Sequence, residues 1–298
     1  MTIDFDPVPP RMPSAPRRPL PAGACDTHTH VFGPFDRYPV PSPSSYAPPI
    51  APPPVHQDML DRVGLGRAIL IQPAPYGTDN GALVEALKGR PGTTRGVAVL
   101  SPEAGDAEFA ALRAANVRGL RFSEMRDPRS GGRYKGSIGL DGYALLAPRM
   151  REHGFIPHIW AKCAFLAEAL PKALEAGLPF VIDHMAAIEV EAGVGDPAFR
   201  TILRLLADGR IWVKLSLCRN SASSPDYPDQ RPFHDALIAA NPDQILWGSD
   251  WPFVRMYEKS PDVGHLLDLL DDWTSDATLQ EKILVANPAR LYGFERAS

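Results

Sequence analysis

The chain has 298 residues, of which 44% are hydrophobic, and a formal net charge of −4 at pH 7. This length is sufficient for one large domain or two smaller ones with a substantial core. The mixed, weakly acidic charge excludes the basic field that nucleic-acid binding needs, and no apolar stretch approaches the roughly 20 residues that cross a bilayer. We therefore expect neither nucleic acid nor a membrane as a partner.

The N-terminal segment is rich in proline (DPVPPRMPSAPRRPLPAG) and has few large apolar side chains. It lacks the apolar core of a secretory signal, so we expect residues 1–22 to form an extended arm on the surface. Cys25, Cys163 and Cys218 form no CxxC pair and are typical of free thiols in a reducing compartment. We expect one domain at 23–298 in a cytoplasmic monomer or homodimer.

Eight short apolar runs recur along this domain, and segments with helical periodicity separate most of them. The runs occupy 25–32, 68–74, 95–101, 117–123, 155–161, 179–185, 211–217 and 245–251, and clear helical patterns cover 107–116, 163–177, 197–209 and 231–241. Strands that alternate with helices indicate a parallel sheet. Eight units in about 250 residues favour an α/β fold, the (β/α)8 TIM barrel. The alternative is a doubly wound open sheet, but the GxGxxG motif typical of its dinucleotide sites is absent.

Titratable residues lie near the C-terminal ends of four of these runs. His28 and His30 stand one residue apart in CDTHTHVF, so they face the same side of a strand. His158 lies in FIPHIWA, His184 in PFVIDHM and Asp250 in WGSDWPF. Active sites of this barrel lie at that end of the strands. Burial of these groups is unfavourable unless they pair or bind an ion, so the pattern favours a functional cluster over core histidines.

The remaining polar residues of interest receive structural interpretations. Lys214 lies in the middle of a predicted strand, where we expect it to pair with a buried acid. The other four histidines fall in predicted helices or loops and are expected to be solvated: His56, His153, His234 and His265.

The cluster resembles the amidohydrolase superfamily, which has HxH on the first strand, histidines on the fifth and sixth, and aspartate on the eighth. The segments GTDNG (77–81), ILWGSDWP (245–252) and NPARLYGF (287–294) are similar to its lactonase branch, which includes 2-pyrone-4,6-dicarboxylate lactonases and 4-sulfomuconolactone hydrolases. The resemblance extends from about residue 22 to 294. It implies a hydrolase that opens a lactone bearing carboxylate or sulfonate groups.

The resemblance also implies roles for the cluster. Asp250 would take a proton from the attacking water, while His28, His30 and His184 would polarise the carbonyl or stabilise the oxyanion. His28, His30, His158 and Asp250 match a superfamily ligand set for one divalent ion, with zinc as the first expectation. The dicarboxylate lactonases have an apolar residue where His158 aligns and are thought to act without metal. Metal-free catalysis therefore stays open.

Three arginines and a tyrosine are the predicted substrate ligands. Arg121 and Arg126 flank the end of the fourth run, Arg219 follows the seventh, and Tyr46 lies in a proline-rich loop at 37–54. Guanidinium groups match carboxylate or sulfonate oxygens in paired geometry. Aligned with the lactonase branch, these residues would hold the anionic groups of a small lactone. The alternatives are a lactone isomerase, a metal-dependent decarboxylase of the same superfamily, and a barrel-shaped binding protein without activity.

Overall fold

The computed structural model describes residues 8–41 and 44–295 and confirms the predicted barrel. Eight parallel strands form one sheet in chain order. The strands are β1 (Cys25–Thr29), β2 (Arg67–Ile71), β3 (Thr94–Ala98), β4 (Val117–Ser123), β5 (Ile156–Trp160), β6 (Phe180–Ile182), β7 (Ile211–Leu215) and β8 (Ile245–Trp247). β1, β2 and β3 are buried over their whole length, as expected when helices cover a parallel sheet.

The sheet closes between β1 and the segment that follows β8. The N–H of Asp250 donates to the carbonyl of His28 at 2.8 Å, and the N–H of His30 donates to the carbonyl of Trp251 at 3.0 Å. Gly248 permits this approach, because a Cβ at this position would lie 2.7 Å from the Cβ of His28. The backbone that carries Asp250 is therefore bonded directly to the backbone that carries the two β1 histidines.

The helices surround the barrel and include the four predicted from periodicity. They are α1 (Pro53–Val63), α2 (Gly81–Gly89), α3 (Asp106–Ala114), α4 (Leu140–His153), α5 (Cys163–Ala173), α6 (Pro197–Ala207), α7 (Arg231–Ala240), α8 (Val263–Trp273), α9 (Ala277–Glu281) and α10 (Asn287–Tyr292). In α6, the Asp196 side chain caps the N-terminus, and the buried Phe199, Ile202 and Leu206 recur at helical spacing. Within the described ranges, no helix has the length and apolarity needed to cross a membrane.

The described part of the proline-rich segment, residues 8–22, contains no regular secondary structure and lies against α8. Arg17 Nε is 3.3 Å from Asp268 Oδ2, and the Arg17 N–H donates to the same carboxylate at 2.7 Å. This part of the segment therefore lies along the outside of the barrel at α8. Residues 1–7 of the predicted arm lie outside the described residues, as do the last three residues of the predicted domain.

Two of the four histidines expected to be solvated are buried, so the prediction was wrong for them. His56 and His234 are 5% and 1% exposed. Both lie on the inner faces of their helices, where His56 Nε2 is 2.9 Å from Thr29 Oγ1 and His234 Nε2 is 3.4 Å from Thr274 Oγ1. A hydroxyl partner lets each neutral ring remain in the core without an unpaired nitrogen on that side.

Candidate active site

The carboxylate of Asp250 lies among three imidazoles at the C-terminal end of the barrel. Its Oδ1 is 3.5 Å from His28 Nε2, 3.4 Å from His30 Nε2 and 4.0 Å from His184 Nε2. None of the four residues is more than 2% exposed. His28 lies in β1, while His30, His184 and Asp250 lie one, two and three residues after the ends of β1, β6 and β8. The structure thus brings together all four predicted catalytic residues.

Unusual backbone conformations direct two of these side chains. His184 has φ +51° and Asp250 has φ +71°, both in the left-handed region that residues with a Cβ seldom adopt. Such conformations cost on the order of 1–3 kcal/mol each and persist where surrounding contacts enforce them, often at functional sites. One such contact is the Asn220 amide, which donates to the His184 carbonyl at 2.7 Å. The turn after β6 therefore holds His184 in a strained but fixed position.

Hydrogen bonding and charge place two acceptors opposite each other in this cluster. His30 Nδ1 is 2.7 Å from the Ile71 carbonyl, so this nitrogen carries the proton and Nε2 presents a lone pair to Asp250. Burial lowers the pKa of His30, which keeps the ring neutral. Burial opposes ionisation of Asp250, but the adjoining Arg219 guanidinium and the imidazoles hold its pKa well below the ordinary value. A neutral imidazole nitrogen therefore faces an ionised carboxylate.

A divalent cation would satisfy both acceptors. His28, His30 and Asp250 offer ligand atoms that lie within 4.8 Å of one another. The 3.4–3.5 Å separations from Asp250 Oδ1 match the roughly 3.3–3.4 Å between ligands around tetrahedral zinc with bonds of about 2.0–2.1 Å. His28 Nε2 is also buried without a hydrogen-bond partner. These three residues fit one zinc ion.

The structure does not bring His158 together with the other three predicted metal ligands. Its Nδ1 is 3.2 Å from Lys214 Nζ, and its Nε2 is 3.5 Å from the Tyr292 hydroxyl. Gly119 provides the space, since a Cβ there would lie 3.0–3.2 Å from the His158 ring. Lys214 Nζ is also 3.2 Å from His28 Nδ1. The lysine therefore stands between His158 and the histidine pair.

Lys214 pairs with a buried acid, as predicted, and that acid is Asp183. Lys214 Nζ is 2.9 Å from Asp183 Oδ1, and both side chains are fully buried. Asp183 also approaches His28 Nδ1 at 3.3 Å and Arg121 Nε at 3.8 Å. Burial would raise the pKa of Asp183, but Lys214 and its other neighbours hold it well below the usual value. Sequence analysis missed this residue, although it immediately precedes His184.

A cavity opens above the cluster at the mouth of the barrel. Of the predicted substrate ligands, its wall includes Arg121, Arg219 and Tyr46. Arg219 Nε contacts Asp250 Oδ2, and its Nη1 donates to the Val254 carbonyl at 2.8 Å. Polar and aromatic residues that sequence analysis did not single out also line the wall: Gln72, Ser123, Tyr134, Ser137, Trp160 and Arg255.

Arg126 is the predicted substrate ligand that the structure places elsewhere. It is exposed on the loop after β4 and does not line the cavity. Its backbone forms an isolated antiparallel bridge with Arg133, whose guanidinium is held by Glu124 at 2.8 Å. This bridge joins two parts of the same loop.

The closed parallel barrel and its histidine–aspartate cluster are typical of a hydrolase with a TIM-barrel fold. The chain belongs to the amidohydrolase family, whose model matches residues 25–294. It is 33% identical to the 2-pyrone-4,6-dicarboxylate hydrolase of Comamonas testosteroni, with 94% of this chain and 93% of that protein covered. It is also 33% identical to the 4-sulfomuconolactone hydrolase of Rhizobium radiobacter, with 95% of each chain covered.

A solved structure shares the fold over nearly the whole length. The crystal structure of a candidate 2-pyrone-4,6-dicarboxylic acid hydrolase from Pseudomonas putida superposes with a TM-score of 0.81 at 28% identity. The match covers 93% of this chain and 100% of that one. The family predicted from the motifs, the barrel fold and the assignment as an enzyme are confirmed.

Proposed function

We propose that this enzyme hydrolyses a small lactone that carries carboxylate or sulfonate groups. The observation that supports this most directly is a buried Asp250 beside three imidazoles, at the base of a cavity lined by Arg121 and Arg219. The two relatives are named for hydrolysis of lactones of this kind, a pyrone dicarboxylate and a sulfonated muconolactone. Hydrolysis therefore accounts for the acid–base cluster and the cationic wall together.

Asp250 is the proposed general base. A water molecule attacks the lactone carbonyl carbon while Asp250 accepts one of its protons. Collapse of the tetrahedral intermediate breaks the ring C–O bond, and the proton on Asp250 passes to the leaving oxygen. A substrate anion that contacts Arg219 would compete with Asp250 for the guanidinium. Substrate binding would thereby make the carboxylate a stronger base.

The imidazoles have separate tasks in this proposal. His184 is buried beside Asp250 and has an unpartnered Nδ1, so it can orient toward the carbonyl oxygen as negative charge develops there. His28, His30 and Asp250 would hold one zinc ion, which when bound polarises a carbonyl and lowers the pKa of a water. The Ile71 carbonyl fixes the tautomer of His30 in either case, because Nδ1 must donate to it.

The test is a comparison of three substrates and two variants. We expect ring opening with release of acid for 2-pyrone-4,6-dicarboxylate or 4-sulfomuconolactone, and poor turnover of a neutral aldonolactone. Asp250→Asn should lower kcat by about 10²–10⁴-fold with an unchanged circular dichroism spectrum, as expected for loss of acid–base catalysis. Asp208→Asn is the matched control, because Asp208 is exposed at the turn before β7, at the opposite end of the barrel.

Each outcome separates the proposal from its alternatives. Ring rearrangement without acid release would identify an isomerase, and release of carbon dioxide would identify a decarboxylase. A neutral lactone as the best substrate would contradict the anionic part of the proposal. Near-normal turnover by Asp250→Asn would reject this residue as the base.

A further inference from the structure

We propose that Arg255 and Tyr134 form a second anion-binding subsite, which holds an anionic group of the substrate away from the reacting carbonyl. The inference rests on the proposed lactone hydrolysis and adds to it the number of anionic groups and the place where one of them binds. Three observations support it. They are the charge partners of the cavity arginines, the order of aromatic rings along the cavity wall, and the backbone conformation of the loop after β8.

The charge pairing of the cavity arginines leaves Arg255 available. Arg121 Nε lies 3.8 Å from Asp183, and Arg219 contacts Asp250, so both have a carboxylate partner. Among the described residues, Arg255 has no carboxylate oxygen within 4.0 Å, yet it lines the same cavity. A guanidinium at the wall of a cavity with no carboxylate oxygen within 4.0 Å favours an anionic ligand.

The rings along the wall lead from the catalytic cluster to Arg255. The His184 ring is 5.5 Å from that of Trp160, and Trp160 is parallel to Tyr134, with 3° between the planes and 6.1 Å between centroids. The Arg255 guanidinium lies 5.1 Å from the Tyr134 ring centroid, and its Nη1 contacts the Tyr134 hydroxyl. Two parallel, stacked aromatic rings therefore lie between the His184 ring and the Arg255 guanidinium.

The backbone that carries Arg255 is held in a strained conformation. Asp250, Phe253, Arg255 and Tyr257 have φ values of +71°, +59°, +67° and +50° within one loop. Non-glycine residues in this region are typical of ligand clamps and active sites, where other contacts enforce them. One such contact is the bond from Arg219 to the Val254 carbonyl, next to Arg255. The same loop therefore fixes the proposed base and the proposed second anion ligand.

These features together indicate the substrate class. A flat conjugated lactone would pack beside the stacked rings of Trp160 and Tyr134, with its carbonyl near His184 and one anionic group near Arg219. A second anionic group on the far side of the ring would reach Arg255. The subsite thus selects dianionic over monoanionic lactones.

The experiment pairs a change in the enzyme with a change in the substrate. Kinetics are measured for 2-pyrone-4,6-dicarboxylate and for its two monoacids, 2-pyrone-4-carboxylate and 2-pyrone-6-carboxylate. Arg255→Met should lower kcat/KM for the diacid by about 10- to 150-fold, mainly through KM, the range for loss of a charge-assisted bond. For the monoacid that lacks the group at Arg255, the loss should be less than about 3-fold, since neither partner then remains to interact.

Two further variants sharpen the result. Arg255→Lys should retain part of the diacid preference, because the charge remains while the paired geometry is lost. Arg210→Met is the control, because Arg210 is exposed before β7 at the opposite end of the barrel. Equal losses on the diacid and both monoacids would show a structural role and overturn the subsite, as would wild-type behaviour of Arg255→Met on all three.

Failure of the proposed hydrolysis has a different signature. If the wild-type enzyme opens none of these rings, the subsite is tested by calorimetric titration with the same three compounds. A preference for the diacid that Arg255→Met abolishes would support the subsite without hydrolysis. Equal affinities of wild type and Arg255→Met would overturn it.

Discussion

Replacement of Lys214 by methionine should destabilise the barrel by about 3 kcal/mol, although the two side chains have similar length. Removal of one partner of a buried ion pair leaves the other charge unpaired and typically costs about 3–5 kcal/mol. Lys214 and Asp183 are both fully buried and lie 2.9 Å apart. Asp183 would retain His28 Nδ1 at 3.3 Å and Arg121 Nε at 3.8 Å, so the loss should fall at the lower end of that range.

The assay is urea unfolding followed by circular dichroism, with wild type and four variants compared. Lys214→Met and Asp183→Asn should each be destabilised, whereas the double variant should recover at least half of the loss because no unpaired charge remains. Lys282→Met is the control: it removes an ion pair with Asp243 whose side chains are 35% and 58% exposed, and should change stability by about 0–1 kcal/mol.

Two results would refute this reasoning. If Lys214→Met unfolds within about 1 kcal/mol of wild type, the ammonium group does not compensate a buried charge. If the double variant is less stable than both single variants, packing or the two histidine contacts of Lys214 dominate its contribution, rather than the ion pair.

Three further predictions concern the metal, the pH response and the arginines. His30→Asn should abolish zinc binding measured by elemental analysis. His158→Asn should keep the zinc content and lower the Tm, because His158 contacts Lys214 and Tyr292 instead. Zinc loss in His158→Asn would contradict this assignment. Burial lowers the pKa of His56 to about 3, so below pH 6.5 the unfolded chain binds a proton that the folded chain excludes, and stability should fall as pH falls from about 6.5 toward 3. His56→Asn should flatten this slope in urea titrations, and an unchanged slope would count against it. Arg121→Met should lower kcat/KM for an anionic lactone by about 10- to 150-fold, and Arg126→Met should lower it much less. A larger loss for Arg126→Met than for Arg121→Met would show that Arg126 binds the substrate.

The fold could be predicted because its pattern is repeated and local. Each strand is a short apolar run, and amphipathic segments such as the one that forms α6 separate the runs. The predicted runs extend beyond the observed strands, mostly at their C-terminal ends. β6 ends at Ile182 and β8 at Trp247, where the runs continue to 185 and 251. Those extra residues belong to the turns that carry the site, and composition alone does not separate them from the strands.

The position of a residue relative to the end of its strand explains which predicted ligands meet. His30, His184 and Asp250 follow the last residue of their strands, so their side chains reach the rim of the barrel. His158 lies two residues before the end of β5 and is therefore deeper in the barrel, beside Lys214. At about 3.3 Å per residue, an error of two residues moves a side chain by more than a zinc–ligand bond.

The residues that sequence analysis missed lie in segments without periodic constraint. Tyr134 and Arg255 belong to the long connections after β4 and β8, whose paths depend on contacts made elsewhere. One available signal was the position of Arg255, five residues after Asp250 in SDWPFVR. Asp183 had a stronger signal, because it shares the segment VIDHM with His184 and Lys214 required a buried acid.

Closure of the barrel is what assembles the histidine–aspartate cluster. His28 and Asp250 are on or beside the first and last strands, which would lie at opposite edges of an open sheet with this strand order. With about 4.8 Å between neighbouring strands, seven intervals would separate them by roughly 34 Å. In the barrel, the Asp250 N–H donates directly to the His28 carbonyl at 2.8 Å. Any change that weakens this seam, such as a side chain at Gly248 pressing on His28, should therefore impair activity more than an equal loss of stability elsewhere in the sheet.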